Sequence, residues 1–111
     1  MGPFGVQSVS PRDVKARLDR GDPIFLVDVR EPDEVEIASI KGAHVIPSGE
    51  VLMRASEIPK DKDVILFCHS GARAMMAAYQ LKRKGWTRVA NMAGGIEAWS
   101  LEVDPSVPRY E

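Results

Sequence analysis

Only one cysteine, Cys68, occurs among the 111 residues. A single cysteine forms no internal disulfide and supplies no multi-cysteine zinc site. There are two histidines, His44 and His69, and they lie far from one another along the chain. That spread does not read as a metal-ligand set, so no metal and no cofactor are expected. Missing disulfides suit a reducing compartment, and a cytoplasmic location is the expectation. An excess of one charge is also lacking: 15 basic residues face 16 acidic ones, for a formal net charge of −1. Nucleic-acid-binding domains carry a strong basic excess, so no nucleic-acid partner is expected. Long apolar runs are absent too, which excludes a membrane-spanning helix and leaves no membrane partner to expect. The first residues, Met1-Gly2-Pro3-Phe4-Gly5-Val6, have neither a basic nor an apolar signal-peptide region. Val6 stands where a myristoylation signal needs Ser or Thr. No internal repeat or low-complexity stretch divides the chain. At this length one core is expected, with residues 1–111 forming a single domain.

What is present is an alternation of strand and helix signals. Ser10-Pro11-Arg12-Asp13 has a capping residue, a proline for the first helical position and an acid for the first turn. Val14 and Leu18 share a face of that helix, and Gly21 closes it. Ile24 to Val29 is a nearly continuous apolar run, as in strands buried on both faces of a parallel sheet. Glu31-Pro32-Asp33-Glu34 opens a short acidic helix reaching Ile37, and His44-Val45-Ile46 reads as a short strand ended by Pro47. Ser48 is read as the cap of a helix reaching Ile58, stopped by Pro59. Val64 to Phe67 is another buried strand, and Ala72 to Lys84 is the strongest helix, ended by Gly85. Val89 to Met92 is a further strand, Gly94-Gly95 a turn, and Ile96 to Leu101 a last helix. The tail from Asp104 to Glu111 carries two prolines and is expected to lie against the surface. Such a pattern predicts an α/β fold with a mainly parallel sheet and helices on both faces. Sites in open sheets of this kind form beyond the carboxyl ends of the strands.

Cys68 stands at such a place, directly after the strand Val64–Phe67. A lone cysteine is otherwise most simply a small buried hydrophobe. Here it opens the segment Cys68-His69-Ser70-Gly71-Ala72-Arg73, which runs into the strongest helix. Gly71 and its small neighbours let backbone N–H groups converge, and the helix N-terminus adds partial positive charge. Arg73 adds a permanent cation. All three favour a thiolate, so the location favours a reactive Cys68 over a structural one, with its thiol opening onto solvent. Two chemistries compete for a thiolate in a ring of N–H donors. Thiol phosphatases place their arginine six positions after the cysteine, whereas Arg73 is five positions after Cys68. The shorter ring suits a smaller anion, such as the outer sulfur of a persulfide.

Four segments then resemble, in order, motifs of the rhodanese-like sulfurtransferase family. Val27-Asp28-Val29-Arg30-Glu31-Pro32-Asp33-Glu34 is similar to its D-V-R-E-x-x-E segment, and Gly42-Ala43-His44-Val45-Ile46-Pro47 to its G-A-x-x-I-P segment. Cys68-His69-Ser70-Gly71-Ala72-Arg73 is similar to its active loop, and Met92-Ala93-Gly94-Gly95-Ile96-Glu97-Ala98-Trp99 to its closing motif. The resemblance spans about Val9 to Tyr110 and implies a rhodanese-like fold with five strands. It also implies sulfur transfer. Cys68 would take sulfane sulfur from a small donor such as thiosulfate, or from a protein persulfide, and pass it to a nucleophilic acceptor. Residues His69, Ser70, Gly71, Ala72 and Arg73 would bind substrate. The tail from Ala98 to Tyr110 resembles rhodanese domains fused to ubiquitin-activating-like adenylyltransferases, which implies a ubiquitin-like sulfur carrier as acceptor. Two departures stand out. Ala38-Ser39 replaces the common Gly-His, which affects packing, and Ala74 replaces a common Ser or Thr, which bears on donor preference. The alternatives are a non-catalytic interaction module on this fold and a thiol phosphatase or arsenate reductase.

Other polar residues read as structural. His69 is next to Cys68, but adjacent residues on a tight loop point apart, so a rim contact outweighs a general-base role. His44 reads as packing. Asp28, at a strand end, reads as an anchor for loop N–H groups or as a partner of an arginine. Met75, Met76, Tyr79, Leu81 and Trp99 read as core. Lys82-Arg83-Lys84 with Arg88 reads as a solvated face, the alternative being a dock for an acidic partner.

Overall fold

The computed structural model describes residues 5–111. Met1 to Phe4, part of the segment read above for targeting signals, lie outside the described residues. The elements are β1 (Gln7–Val9), α1 (Pro11–Asp19), β2 (Ile24–Asp28), α2 (Pro32–Ile37), β3 (His44–Val45), β4 (Asp63–Phe67), α3 (Ala72–Arg83), β5 (Val89–Met92) and α4 (Gly95–Glu102). The five strands form one sheet in the order β1-β5-β4-β2-β3, and every pairing is parallel. None of the described helices is long and apolar enough to cross a membrane.

The expected α/β architecture is therefore present, and strand alternation explains its layers. Successive side chains of a strand point to opposite faces. Val64 and Leu66 of β4 pack on one face with Val27, Ala74, Ala77, Ala78 and Leu81, so α3 covers that side. Ile65 and Phe67 pack on the other with Val14 of α1 and Ile96 and Trp99 of α4. Cys68 continues the first set and lands on the α3 face.

Helix starts follow the local chemistry. Ser10 caps α1 by accepting from the Asp13 N–H at 3.0 Å, with Pro11 in the first turn. Glu31 and Glu34 form a reciprocal capping box on α2.

Three expectations are corrected. The segment after Pro47 is not one helix to Ile58 but two short 3₁₀ turns, Ser48–Glu50 and Ala55–Glu57. Ser48 is the first residue of its turn rather than its cap, and its N–H is held by the Val29 carbonyl at 2.9 Å. That tie to the end of β2, with Gly49 next to it, favours tight turns over a continuous helix. The second correction concerns β1, which the residue pattern alone did not mark. With three residues at the sheet edge beside β5, it is too short to show a period. The third is Met76, read as core but 43% exposed on α3, while Leu81 is buried and Met75 and Tyr79 are packed against the core. His44 is exposed, with its ring stacked on Phe25 at 4.1 Å.

Candidate active site

The loop from Cys68 to Arg73 joins the carboxyl end of β4 to α3. Its carbonyls are held from below. The first N–H groups of α4 donate to it, Ile96 to the Cys68 carbonyl at 2.8 Å and Glu97 to the His69 carbonyl at 3.1 Å. Only glycine fits at the start of that helix. A Cβ on Gly95 would lie 2.3 Å from the Cys68 carbonyl oxygen and 2.5 Å from that of His69. With those carbonyls engaged, the later loop N–H groups turn toward sulfur. Gly71 N–H donates to Cys68 Sγ at 3.0 Å and Ala74 N–H lies 3.5 Å from it. Gly71 has φ 124°, a conformation that strains any side-chain-bearing residue, and it places its N–H there. Of the residues from His69 to Arg73, Gly71 is the one whose N–H reaches sulfur, and the second donor is Ala74, in the first turn of α3.

The thiol does not open onto solvent as expected: Cys68 is 1% exposed. The loop curls around Sγ, so the same small residues that aim N–H groups at sulfur also close over it. Around it, Ser70 and Ala72 are exposed, while His69, Gly71 and Arg73 are half-buried.

Arg73 faces a carboxylate instead of open space. Its Nη1 and Nη2 donate to the two oxygens of Glu34 at 2.6 and 2.8 Å. The forked pair anchors the loop to α2. Arg73 holds the Glu34 carboxyl down to about 2, against the opposing effect of burial. Glu34 in return raises the Arg73 guanidinium above its ordinary value.

Behind this pair lies a second one. Arg30 is fully buried and donates to both oxygens of buried Asp28, at 2.9 and 2.6 Å. It also donates to the carbonyls of Glu34 and Ala38. Asp28 is thus the structural anchor that was expected, and Arg30 is its partner.

Tyr110 was carried in the sequence only by the resemblance of the tail. The structure brings it to the site. Its hydroxyl donates to Glu34 at 2.8 Å and accepts from Arg30 at 3.0 Å. Its ring stacks on His69, with centroids 4.3 Å apart. Burial raises the phenol above its ordinary value, which keeps it a donor. His69 therefore turns to the tail, and its Nε2 is buried without a hydrogen-bond partner. Spacing along the chain carries no signal for this contact, because residues 41 positions apart meet only once the tail folds back. Among the described residues no cluster suited to a metal ion occurs.

The fold and site define a class: a parallel α/β sheet with a cysteine at the junction of a strand and a helix, its sulfur accepting from backbone N–H groups. Within that class the chain belongs to the rhodanese family: residues 10–102 match the model of the rhodanese-like domain.

Over 114 aligned residues, 95% of this chain is 43% identical to the rhodanese-like/PpiC domain-containing protein 12, chloroplastic, of Arabidopsis thaliana. A protein of Allochromatium vinosum named sulfurtransferase is 39% identical over 92% of this chain and 95% of its own length. The probable adenylyltransferase/sulfurtransferase MoeZ of Mycobacterium tuberculosis is 34% identical over 93% of this chain. This chain spans 38% of the Arabidopsis protein and 27% of the mycobacterial one. Among solved structures, reduced Bacillus anthracis CoADR-RHD superposes with a TM-score of 0.83 at 34% identity, covering 94% of this chain and 18% of that one. Rhodanese-type sulfurtransferase activity is thus supported at the level of the family.

Proposed function

We propose that this chain is a sulfurtransferase that carries sulfane sulfur as a persulfide on Cys68. The observation that carries the reading is the pair of N–H groups, from Gly71 and Ala74, directed at Cys68 Sγ. Such donors stabilise a thiolate before transfer and the anionic outer sulfur after it. In the first half-reaction, the Cys68 thiolate attacks the sulfane sulfur of a donor. A sulfur–sulfur bond forms to Sγ, the bond to the donor's remaining group breaks, and that group leaves with the electron pair. In the second half-reaction, an acceptor nucleophile attacks the outer sulfur and Cys68 leaves as the thiolate. Ser70, Gly71 and Ala72 form the curved wall around the outer sulfur. His69 and Arg73 flank it, and both are held in place, by Tyr110 and Glu34 respectively.

The 111 residues hold no second cysteine, so the sulfur leaves Cys68 to a nucleophile outside them. A ubiquitin-like sulfur carrier is a suitable acceptor. The resemblance of the tail and the adenylyltransferase/sulfurtransferase name of the mycobacterial relative support that assignment.

Intact-mass measurement after incubation with a persulfide donor tests the reading. One added sulfur is expected on the wild-type chain, lost on adding a reductant and absent from Cys68→Ser. A chain that takes up no sulfur from thiosulfate, glutathione persulfide or a persulfidated protein is instead a non-catalytic module.

A further inference from the structure

The basic cluster at the end of α3 divides once its partners are known. Arg88 is paired with Asp63 at 3.0 Å, and Lys82 donates to the Gly5 carbonyl. Arg83 lies over the Tyr79 ring, and neither it nor Lys84 forms an ion pair among the described residues.

Those two cations stand at the end of a groove that begins beside the active loop. Arg73, Met76, Ala77 and Gln80 of α3 line its first part, with Ser48 and Gly49. Met76 and Gln80 continue into a second part, with Leu52, Tyr79, Arg83 and Lys84. Arg73, Met76, Gln80 and Arg83 follow one another three or four positions apart, along one face of the helix. Large apolar residues are left exposed here: Met76, Leu52 and, next in the chain, Met53. A flexible thioether adapts to varied apolar side chains, and an exposed apolar strip edged by charge suits a protein partner.

Charge gives the groove a direction. At the loop end, Arg73 is held by both oxygens of Glu34. At the far end Arg83 and Lys84 have no acid beside them, and no carboxylate is among the described residues lining either part. From Arg73 to Lys84 the helix rises about 16 Å, which extended chain covers in about five residues. A nucleic acid fits less well, because two cations beside an apolar floor, in a chain of net charge −1, offer little to a polyanion.

Resting on the sulfurtransferase reading above, we propose that this groove docks an extended segment of the partner protein in sulfur transfer. Its apolar side chains seat on Leu52 and Met76, and its carboxylates, about five residues from the reacting end, meet Arg83 and Lys84. The reacting end then lies at Arg73 and the exposed Ser70 and Ala72 of the loop.

Selection of a random decapeptide library on the immobilised full chain tests the proposal without any sulfur chemistry, with affinities read by fluorescence anisotropy. The selected peptides are expected to combine apolar residues with Asp or Glu. Exchanging those acids for Asn or Gln should weaken binding about three- to tenfold, the worth of two exposed ion pairs. The double variant Arg83→Glu, Lys84→Glu should weaken the acidic peptides at least as much and favour versions with Lys in the acidic places. Added salt should weaken the acidic peptides, because screening reduces the attraction. Met76→Ser should weaken acidic and amide forms alike. Uptake of sulfur by Cys68 from a small donor should be unchanged in the double variant. Peptides without an acidic preference, or affinities that the charge reversal leaves in place, overturn the proposal and leave the persulfide on Cys68 intact. So does self-association of the chain that Met76→Ser abolishes, which makes a second copy the occupant, and so does tighter binding of an RNA oligonucleotide than of any peptide. Acidic peptides bound by a chain that takes up no sulfur overturn the sulfurtransferase reading, and with it the partner's role in sulfur transfer.

Discussion

The Glu34 side chain joins three residues, two of them far from it in the chain. Its side chain takes both nitrogens of Arg73 and the hydroxyl of Tyr110, and it also accepts from the Glu31 N–H at the start of α2. Its carboxyl is lowered from 4.5 to about 2, chiefly by the Arg73 hydrogen bonds. A depressed folded-state value gives stability that is fully present above 4.5 and is lost as pH falls through about 2. Acid titration of the folded fraction is therefore expected to show an extra loss between these limits that Glu34→Gln lacks. An unaltered acid limb in that variant would show that the pair adds nothing to folding. Arg30 and Asp28 behave differently, since both are buried and have no access to water. Removing either partner leaves a buried charge, which is why the pair reads as a fixed part of the scaffold.

Where β4 ends and α3 begins, the two elements do little alone. The ring around Sγ depends on a third, α4, whose first N–H groups take the Cys68 and His69 carbonyls. Gly95 permits that approach, and its φ of 60° adds a second reason for glycine. Gly95→Ala is expected to displace the loop, because a Cβ there would lie 2.3 Å from the Cys68 carbonyl oxygen. Sulfur uptake by Cys68 should fall at least tenfold, with a loss of stability of about 1–3 kcal/mol from overpacking and strain. Kinetics and urea unfolding together check this, and full uptake in Gly95→Ala would remove α4 from the account of the loop. Gly94, with φ 75°, serves the same turn, and a Cβ there would meet that of Ala98 at 2.5 Å. The doubled glycine is thus required twice over, once by each neighbour.

Over the whole molecule, the tail closes the structure. Ser100 Oγ donates to the Val107 carbonyl at 2.7 Å, Val107 is buried, and Tyr110 reaches across to Arg30, Glu34 and His69. Tyr110 thus connects the site to a segment outside the sheet. Tyr110→Phe removes two hydrogen bonds and is expected to cost about 1–3 kcal/mol, since Arg30 and Glu34 each lose a partner. Tyr110→Ala also loses the stack on His69, adding about 0.5–1.5 kcal/mol. Equilibrium unfolding ranks the three chains, and equal stability would mean that the tail only rests on the surface.

Much of this arrangement is local and was legible in the order of residues. Apolar runs marked β2, β4 and β5, a period of 3.6 marked α3, a capping residue marked α1 and an acidic opening with Pro32 marked α2, because these signals arise from neighbours within a few positions. The place of Cys68, between a buried strand and a helix after Gly71, was legible for the same reason. What lay between distant residues was not. The pairing of Arg73 with Glu34, the contact of Tyr110 with His69 and the burial of the thiol each join segments that meet only when the sheet is complete. The 3₁₀ turns after Pro47 belong with them, since a hydrogen bond to Val29, the residue after β2, ties that segment down against its own composition. The lone cysteine set the chemistry. The tertiary fold alone brought Glu34 to Arg73 and Tyr110 to His69, because those contacts join segments distant in the chain.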